Sequence, residues 1–313
     1  NKILILSVTG KFIFFDANSL KNKILRKDIS PKINFDDNFS KILDVMVHNK
    51  KIYFSFAKEI KKNCFFLGIK ESDYNLDELK FRTVFMNKEC VESTYAGKMV
   101  NYKFNGKNGL LFSIDALAKK KSYAQKISSN LGKILFIDYK DFEPTIFSIG
   151  HRNPQGLYND NGIIISTEHG PRGGDEINII NFNKNYGWPI SSYGEPYEYE
   201  VQNKEKYNYL KNHYEYNFEE PVFSFVPSVG ISQLTKVSNK FSKFWENNYL
   251  VSSLNGGSIF RIKLDLKNNK IIFLENIFLN ERIRDIDYLD ELNLIILALE
   301  NTGSIGVLKA ITN

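Results

Sequence analysis

The chain has 313 residues, with 42 Lys+Arg against 36 Asp+Glu and a formal charge of +6. A content of 42 % hydrophobic and 25 % charged residues excludes a disordered tail and a membrane bundle. No apolar run approaches the roughly 18–20 residues of a membrane-spanning helix. The lysines are scattered, which excludes the aromatic-lined basic stripe of a nucleic-acid groove.

In chain order, short strand signals dominate. The opening, Asn1-Lys2-Ile3-Leu4-Ile5-Leu6, has no signal-peptide pattern, which is uninformative if such a segment has been removed. Residues 3–8 and 11–16 about Thr9-Gly10 predict a hairpin, and 42–48 with 51–57 and 98–104 with 109–114 repeat the plan. A further pair, 156–158 with 163–167, surrounds Asn161-Gly162, the strongest short hairpin-turn signal. Residues 248–252 with 258–264 and 283–288 with 294–299 follow. Steps of roughly 35–60 residues fit propeller blades, and a sixth of the chain is about 52 residues. A two-sheet sandwich would also give many short strands. No Pro/Ser-rich linker divides the chain, so a single domain over residues 1–313 is expected. Cys64 and Cys90 form no metal cluster; one bridge in an oxidising compartment and two buried thiols explain the pair equally.

Between residues 150 and 197 Gly, Pro and Asn become dense, the mark of a backbone held in specific turns. Arg152 offers a planar fork for a carboxylate or quinone oxygen, with the Asn153 amide beside it. Carbonyls at Gly170-Pro171 and the carboxylates Asp175 and Glu176 are hard oxygen ligands suited to Ca²⁺. The plainer reading is a turn-rich connection whose acidic side chains cap local backbone N–H groups.

An ordered series of words runs through the chain: Leu131-Gly132-Lys133-Ile134-Leu135, Gly150-His151-Arg152-Asn153, Glu168-His169-Gly170-Pro171 with Gly174-Asp175-Glu176, Asn185-Tyr186-Gly187-Trp188-Pro189, and Arg282-Ile283-Arg284-Asp285. This series resembles the soluble quinoprotein glucose dehydrogenases and aldose sugar dehydrogenases, the glucose/sorbosone dehydrogenase family. The resemblance implies a six-bladed β-propeller that binds pyrroloquinoline quinone (PQQ) beside Ca²⁺ and oxidises a sugar at its anomeric carbon. An external electron acceptor and a periplasmic or secreted location are implied too. Carried over by position, Arg152 and Asn153 lie beside the cofactor, and Arg282 and Arg284 face its carboxylates. The Gly170 and Pro171 carbonyls ligate the activating Ca²⁺, and Glu176 with the Tyr186 carbonyl belongs to a second calcium site.

The pattern departs from the family in the first hundred residues and at one later point. Thr94 stands at the position of the catalytic His base, Ser93 where some relatives have Asp, and Phe39 is nearest to a usual Gln. Asn255 replaces a cofactor-contacting Lys. A Thr hydroxyl accepts no proton at neutral pH unless another base activates it. The rival reading is therefore a non-catalytic calcium-binding propeller with a small ligand or protein partner. His48 and His213 are read as surface or packing residues, and Trp188 and Trp245 as core. Tyr193, Tyr197 and Tyr199 are read as an upper rim or a solvated loop.

Overall fold

The computed structural model describes residues 2–16, 27–29, 31–92, 94–197 and 209–310. Ser93 and Tyr199, both singled out above, lie outside them. The chain divides into two compact units, Asn1–Phe147 and Ser148–Asn313.

In the first unit, β1 (Lys2–Leu6), β2 (Phe12–Asp16) and β3 (Lys27–Ile29) form a three-stranded sheet. The strands β4 (Lys32–Phe35), β5 (Lys41–His48), β6 (Lys51–Lys61), β7 (Cys64–Asp73) and β8 (Glu78–Met86) form a five-stranded sheet in the order β4-β8-β7-β6-β5. Only the β4–β8 pair in it is parallel. A further sheet takes β9 (Met99–Phe104), β10 (Lys107–Ile114), β11 (Lys133–Asp138) and β12 (Pro144–Ile149). Alternating apolar residues bury Phe12, Phe14, Phe54, Phe56 and Phe81 in one cluster. Each such side chain contributes about 1.5–3 kcal/mol on full burial. Phe39 packs edge-on to Phe35 with ring centroids 5.0 Å apart and sits 5.6 Å from Phe54. The residue nearest the family's Gln is therefore partly buried and packed against the core.

The Cys64–Cys90 pair is a disulfide. It ties the start of β7 to the connection after β8, where Phe65 and Val91 also pair as a β-bridge. Lys133, in one of the resemblance words, is fully buried and donates to the carbonyls of Tyr123, Ala124 and Leu131 at 2.8–2.9 Å. It pins the 3₁₀ segment Ala118–Gln125 against β11.

The second unit begins with the sheet β13 (Pro154–Asp160), β14 (Ile163–Glu168), β15 (Asp175–Ile180) and β16 (Phe223–Phe225). Next come β17 (Ile231–Val237), β18 (Asn248–Ser253), β19 (Ser258–Asp265) and β20 (Lys270–Phe278), then β21 (Ile283–Leu289), β22 (Leu294–Leu299) and β23 (Ser304–Lys309). Ile165 and Ile177 pack with Tyr249, Val251 and Phe260 in one buried cluster.

All six predicted hairpins are present, and Asn161 and Gly162 take φ +52° and +98°, as a type I′ turn requires. The expectation of a six-bladed propeller needs correction in its blade count. Among the described residues, β1–β3 and β21–β23 have three strands each, so six complete four-stranded blades are not formed.

Candidate active site

The informative segment of the sequence lies wholly within the second unit, at the ends of β13, β14 and β15. Its backbone is crowded enough to demand glycine. A side chain at Gly150, φ +79°, would begin 2.2 Å from Asn185 Oδ1, and one at Gly174, φ +70°, 2.3 Å from the Gly194 nitrogen.

His151 is fully buried and both ring nitrogens are committed. Nδ1 lies 2.7 Å from Glu168 Oε1 and Nε2 2.7 Å from Ser148 Oγ, while the ring stacks on Tyr186. It anchors the turn and has no free lone pair for chemistry. The neighbouring Arg152 donates from a terminal nitrogen to the His169 carbonyl at 2.9 Å, and its guanidinium lies 5.2 Å from the Trp188 ring centre. Its Nε is buried without a hydrogen-bond partner. An uncompensated cationic donor is costly to bury, so this atom is suited to an anionic oxygen. Trp188, read as core, is both buried and the face that carries Arg152.

A polar relay leads away from this point. Gln155 donates to Asn153 Oδ1 at 2.8 Å, and Arg284 donates to Gln155 Oε1 at 3.5 Å. Arg284 also bonds Glu300 Oε2, and Arg282 contacts Glu300 Oε1 at 3.3 Å. Burial pushes the Glu300 carboxyl up, but Arg284 and Arg282 outweigh it and hold the group below its usual range. The structure thus brings Arg152, Asn153, Arg282 and Arg284 into one unit and supplies the counter-charge that paired guanidinium groups need. Asn255 is exposed on the neighbouring turn, its backbone nitrogen close against Gly230. Thr94 belongs to the first unit; its carbonyl accepts from Lys41 Nζ at 3.2 Å.

Asp175 is not a free metal ligand. Its Oδ1 accepts from Gly170 N at 3.0 Å and Ser228 Oγ at 2.9 Å, and its Oδ2 from Val229 N and Ile231 N, both at 3.0 Å. The plainer reading, an acidic side chain satisfying backbone N–H groups, holds for this residue. It locks the Gly170-Pro171 turn onto the start of β17.

A cavity of about 10 Å³, room for one water-sized occupant, is lined by Glu168, Glu176, His169, Tyr186, Ser191 and Ser192 among others. Burial, and then the charge of Glu168, push the Glu176 carboxyl up to about 8. His213 Nε2 lies 3.9 Å from Glu176 Oε1 and has no hydrogen-bond partner. Burial also holds His213 below the usual imidazole range, which disfavours an ion pair at this contact. His213 packs as expected, stacked on Tyr193 and bonded through Nδ1 to Ser191 Oγ at 3.0 Å. His169 Nε2 is likewise buried and unpartnered. Burial lowers this imidazole as well, with Asp175 opposing.

Sequence reasoning missed Gln155, Glu168 as a cavity carboxylate, and Glu300. Only Glu168 stood inside a recognisable word; Glu300 follows β22 with no motif about it.

The family described as Glucose / Sorbosone dehydrogenase matches residues 2–307. Aldose sugar dehydrogenase YliI of Escherichia coli is 30 % identical over 245 residues, 72 % of this chain and 63 % of the relative. The curated relatives that match are covered over 47 %, 63 % and 35 % of their own lengths, less than two thirds in each case. A solved glucose dehydrogenase superposes with a TM-score of 0.79 at 22 % identity, over 99 % of this chain and 93 % of its own. The PQQ-bound aldose sugar dehydrogenase of Streptomyces coelicolor superposes with a TM-score of 0.68 at 19 % identity, over 99 % and 90 %. The fold is accordingly an all-β propeller.

Proposed function

Because the chain belongs to the glucose/sorbosone dehydrogenase family, we propose that it is a sugar dehydrogenase, acting on an aldose with PQQ and Ca²⁺, as a single propeller domain outside the cytoplasm. The observation that carries this reading is the buried, unpartnered Nε of Arg152 beside Asn153 and the Gln155–Arg284–Glu300–Arg282 relay. PQQ is a tricarboxylate, and guanidinium forks suit such an anion. The chemistry it supplies is acceptance of a hydride from the sugar. Arg152 and Asn153 would orient it, and Arg282 and Arg284 would face its carboxylates in exchange for part of their contact with Glu300. The disulfide agrees with an oxidising compartment.

For calcium, the fit is best at the small cavity. Burial, and then the charge of Glu168, make Glu176 costly to ionise there, and a hard divalent cation would relieve that cost. Glu176 and the Tyr186 carbonyl would hold it. At the Gly170-Pro171 turn only carbonyl oxygens are left for a second ion, since Asp175 is spent on four donors.

Thr94 favours the second reading, a propeller that binds its ligands without turnover, because no imidazole stands at the base position. Steady-state dye reduction by wild type and Thr94→His, equally loaded with PQQ and calcium, separates the two. General-base assistance is worth about 10²–10⁴-fold, so slow wild-type oxidation rising by a factor of that order in Thr94→His is expected. Fast wild-type turnover unchanged by the substitution would place the base elsewhere. No turnover in either protein would favour the binding reading.

A further inference from the structure

The surface at the far end of β20 stands apart from the proposed chemistry. Strand β20 is the last strand of its sheet among the described residues, and most of it is exposed. Its register against β19 passes from Lys263↔Phe273 to Leu264↔Ile271, so Ile272 is the extra residue of a β-bulge. A bulge re-aims side chains that would otherwise alternate. Here Ile272 and Phe273, adjacent in sequence, line one groove of about 480 Å³ together with Phe244. Phe244 is 89 % exposed, Ile272 55 % and Phe273 41 %.

The charges about this apolar group are mainly positive. Lys243, Arg261 and Lys263 line the same groove against the single carboxylate of Glu246. Arg261 is held in place, bonded to Glu275 at 2.7 Å and stacked on both Trp245 and Phe273. Lys243 and Lys263 are exposed, as are Lys267 and Lys270 at the adjoining β19–β20 turn, where Asp265 is the opposing carboxylate. Protruding aromatic and aliphatic side chains ringed by lysines match the boundary between lipid headgroups and acyl chains. An anionic leaflet attracts each such cation.

We propose that this face seats on an anionic lipid surface, with Phe244, Ile272 and Phe273 entering the headgroup boundary and Lys243 and Lys263 meeting lipid phosphates. Co-sedimentation with vesicles of phosphatidylcholine alone, or of phosphatidylcholine with phosphatidylglycerol, tests it on the full chain. Binding to the mixed vesicles only, weakened by added salt, is expected. Phe244→Ser should reduce that binding about tenfold or more. Lys243→Gln and Lys263→Gln should each reduce it about fivefold. An unchanged melting temperature shows that Phe244→Ser remains folded; if it falls, Ile272→Ser takes its place. Failure of wild type to sediment with mixed vesicles, equal binding to both vesicle types, or binding indifferent to these variants overturns the proposal. So does a wild-type dimer that dissociates in Phe244→Ser, which would give the face to a second copy of the chain.

Discussion

Glu300 balances the two arginines that the family pattern directs at a cofactor. It contacts Arg282 at 3.3 Å and Arg284 at 2.5 Å. Replacing it with Gln leaves two neighbouring guanidinium groups without their shared counter-charge. Glu300→Gln is expected to melt lower than wild type without ligand and to gain more from added PQQ, because the anion then supplies the missing charge. Equal melting temperatures and equal gains, measured by calorimetry, would show that Glu300 is a bystander. This residue was not legible in the sequence, because an isolated Glu after a strand looks the same whether it faces solvent or two arginines. Arg152 was legible because its neighbours form a dense turn, yet its unpartnered Nε emerges only once Trp188 and the His169 carbonyl are in place.

At the scale of elements, hairpins were readable because a two-residue turn and alternating apolar residues are local signals. The Asn161-Gly162 turn shows this, with both residues in the left-handed region. The parallel β4–β8 pair was not readable, since it joins residues 32–35 to residues 78–81 across three intervening strands. The disulfide was left open by the sequence and is decided by the bridge between Phe65 and Val91, which brings the two cysteines together. It closes a loop with a sequence separation of 26. A loop of that size limits the unfolded chain by about 3–4 kcal/mol. The double variant Cys64→Ala/Cys90→Ala is expected to lose stability of that order in urea unfolding. A loss below about 1 kcal/mol would mean that the sheet holds these segments without the covalent link.

For the molecule as a whole, the calcium site proposed above would couple metal binding to pH through Glu176. Burial pushes its folded carboxyl up to about 8 from a usual value of 4.5. Burial first, then Glu168, Asp175 and Glu220, oppose its ionisation, while Asn178 favours it. Between those two values the folded state keeps a proton that the unfolded state has released. The contribution of Glu176 to metal-free stability therefore falls as pH rises from about 4.5 to about 8 and levels off above that. The lowered His169 and His213 contribute in the opposite sense as pH rises through the imidazole range. Calcium at the proposed site would need the carboxylate, so its binding would release this proton and strengthen over the same interval. The rise in melting temperature caused by free calcium should be larger at pH 8.5 than at pH 6. A calcium effect that is absent at both values, or larger at pH 6, would contradict the assignment of this cavity to a cation.

On the function proposed above, the second unit holds PQQ at Arg152. Absorbance titration of the calcium-loaded protein with PQQ tests it most directly, in wild type and in Arg152→Ala. The account predicts saturable binding at one PQQ per chain in wild type, weakened at least about tenfold in the variant by loss of a charge-assisted pair. No saturable binding to wild type, or the same affinity in Arg152→Ala, would contradict it.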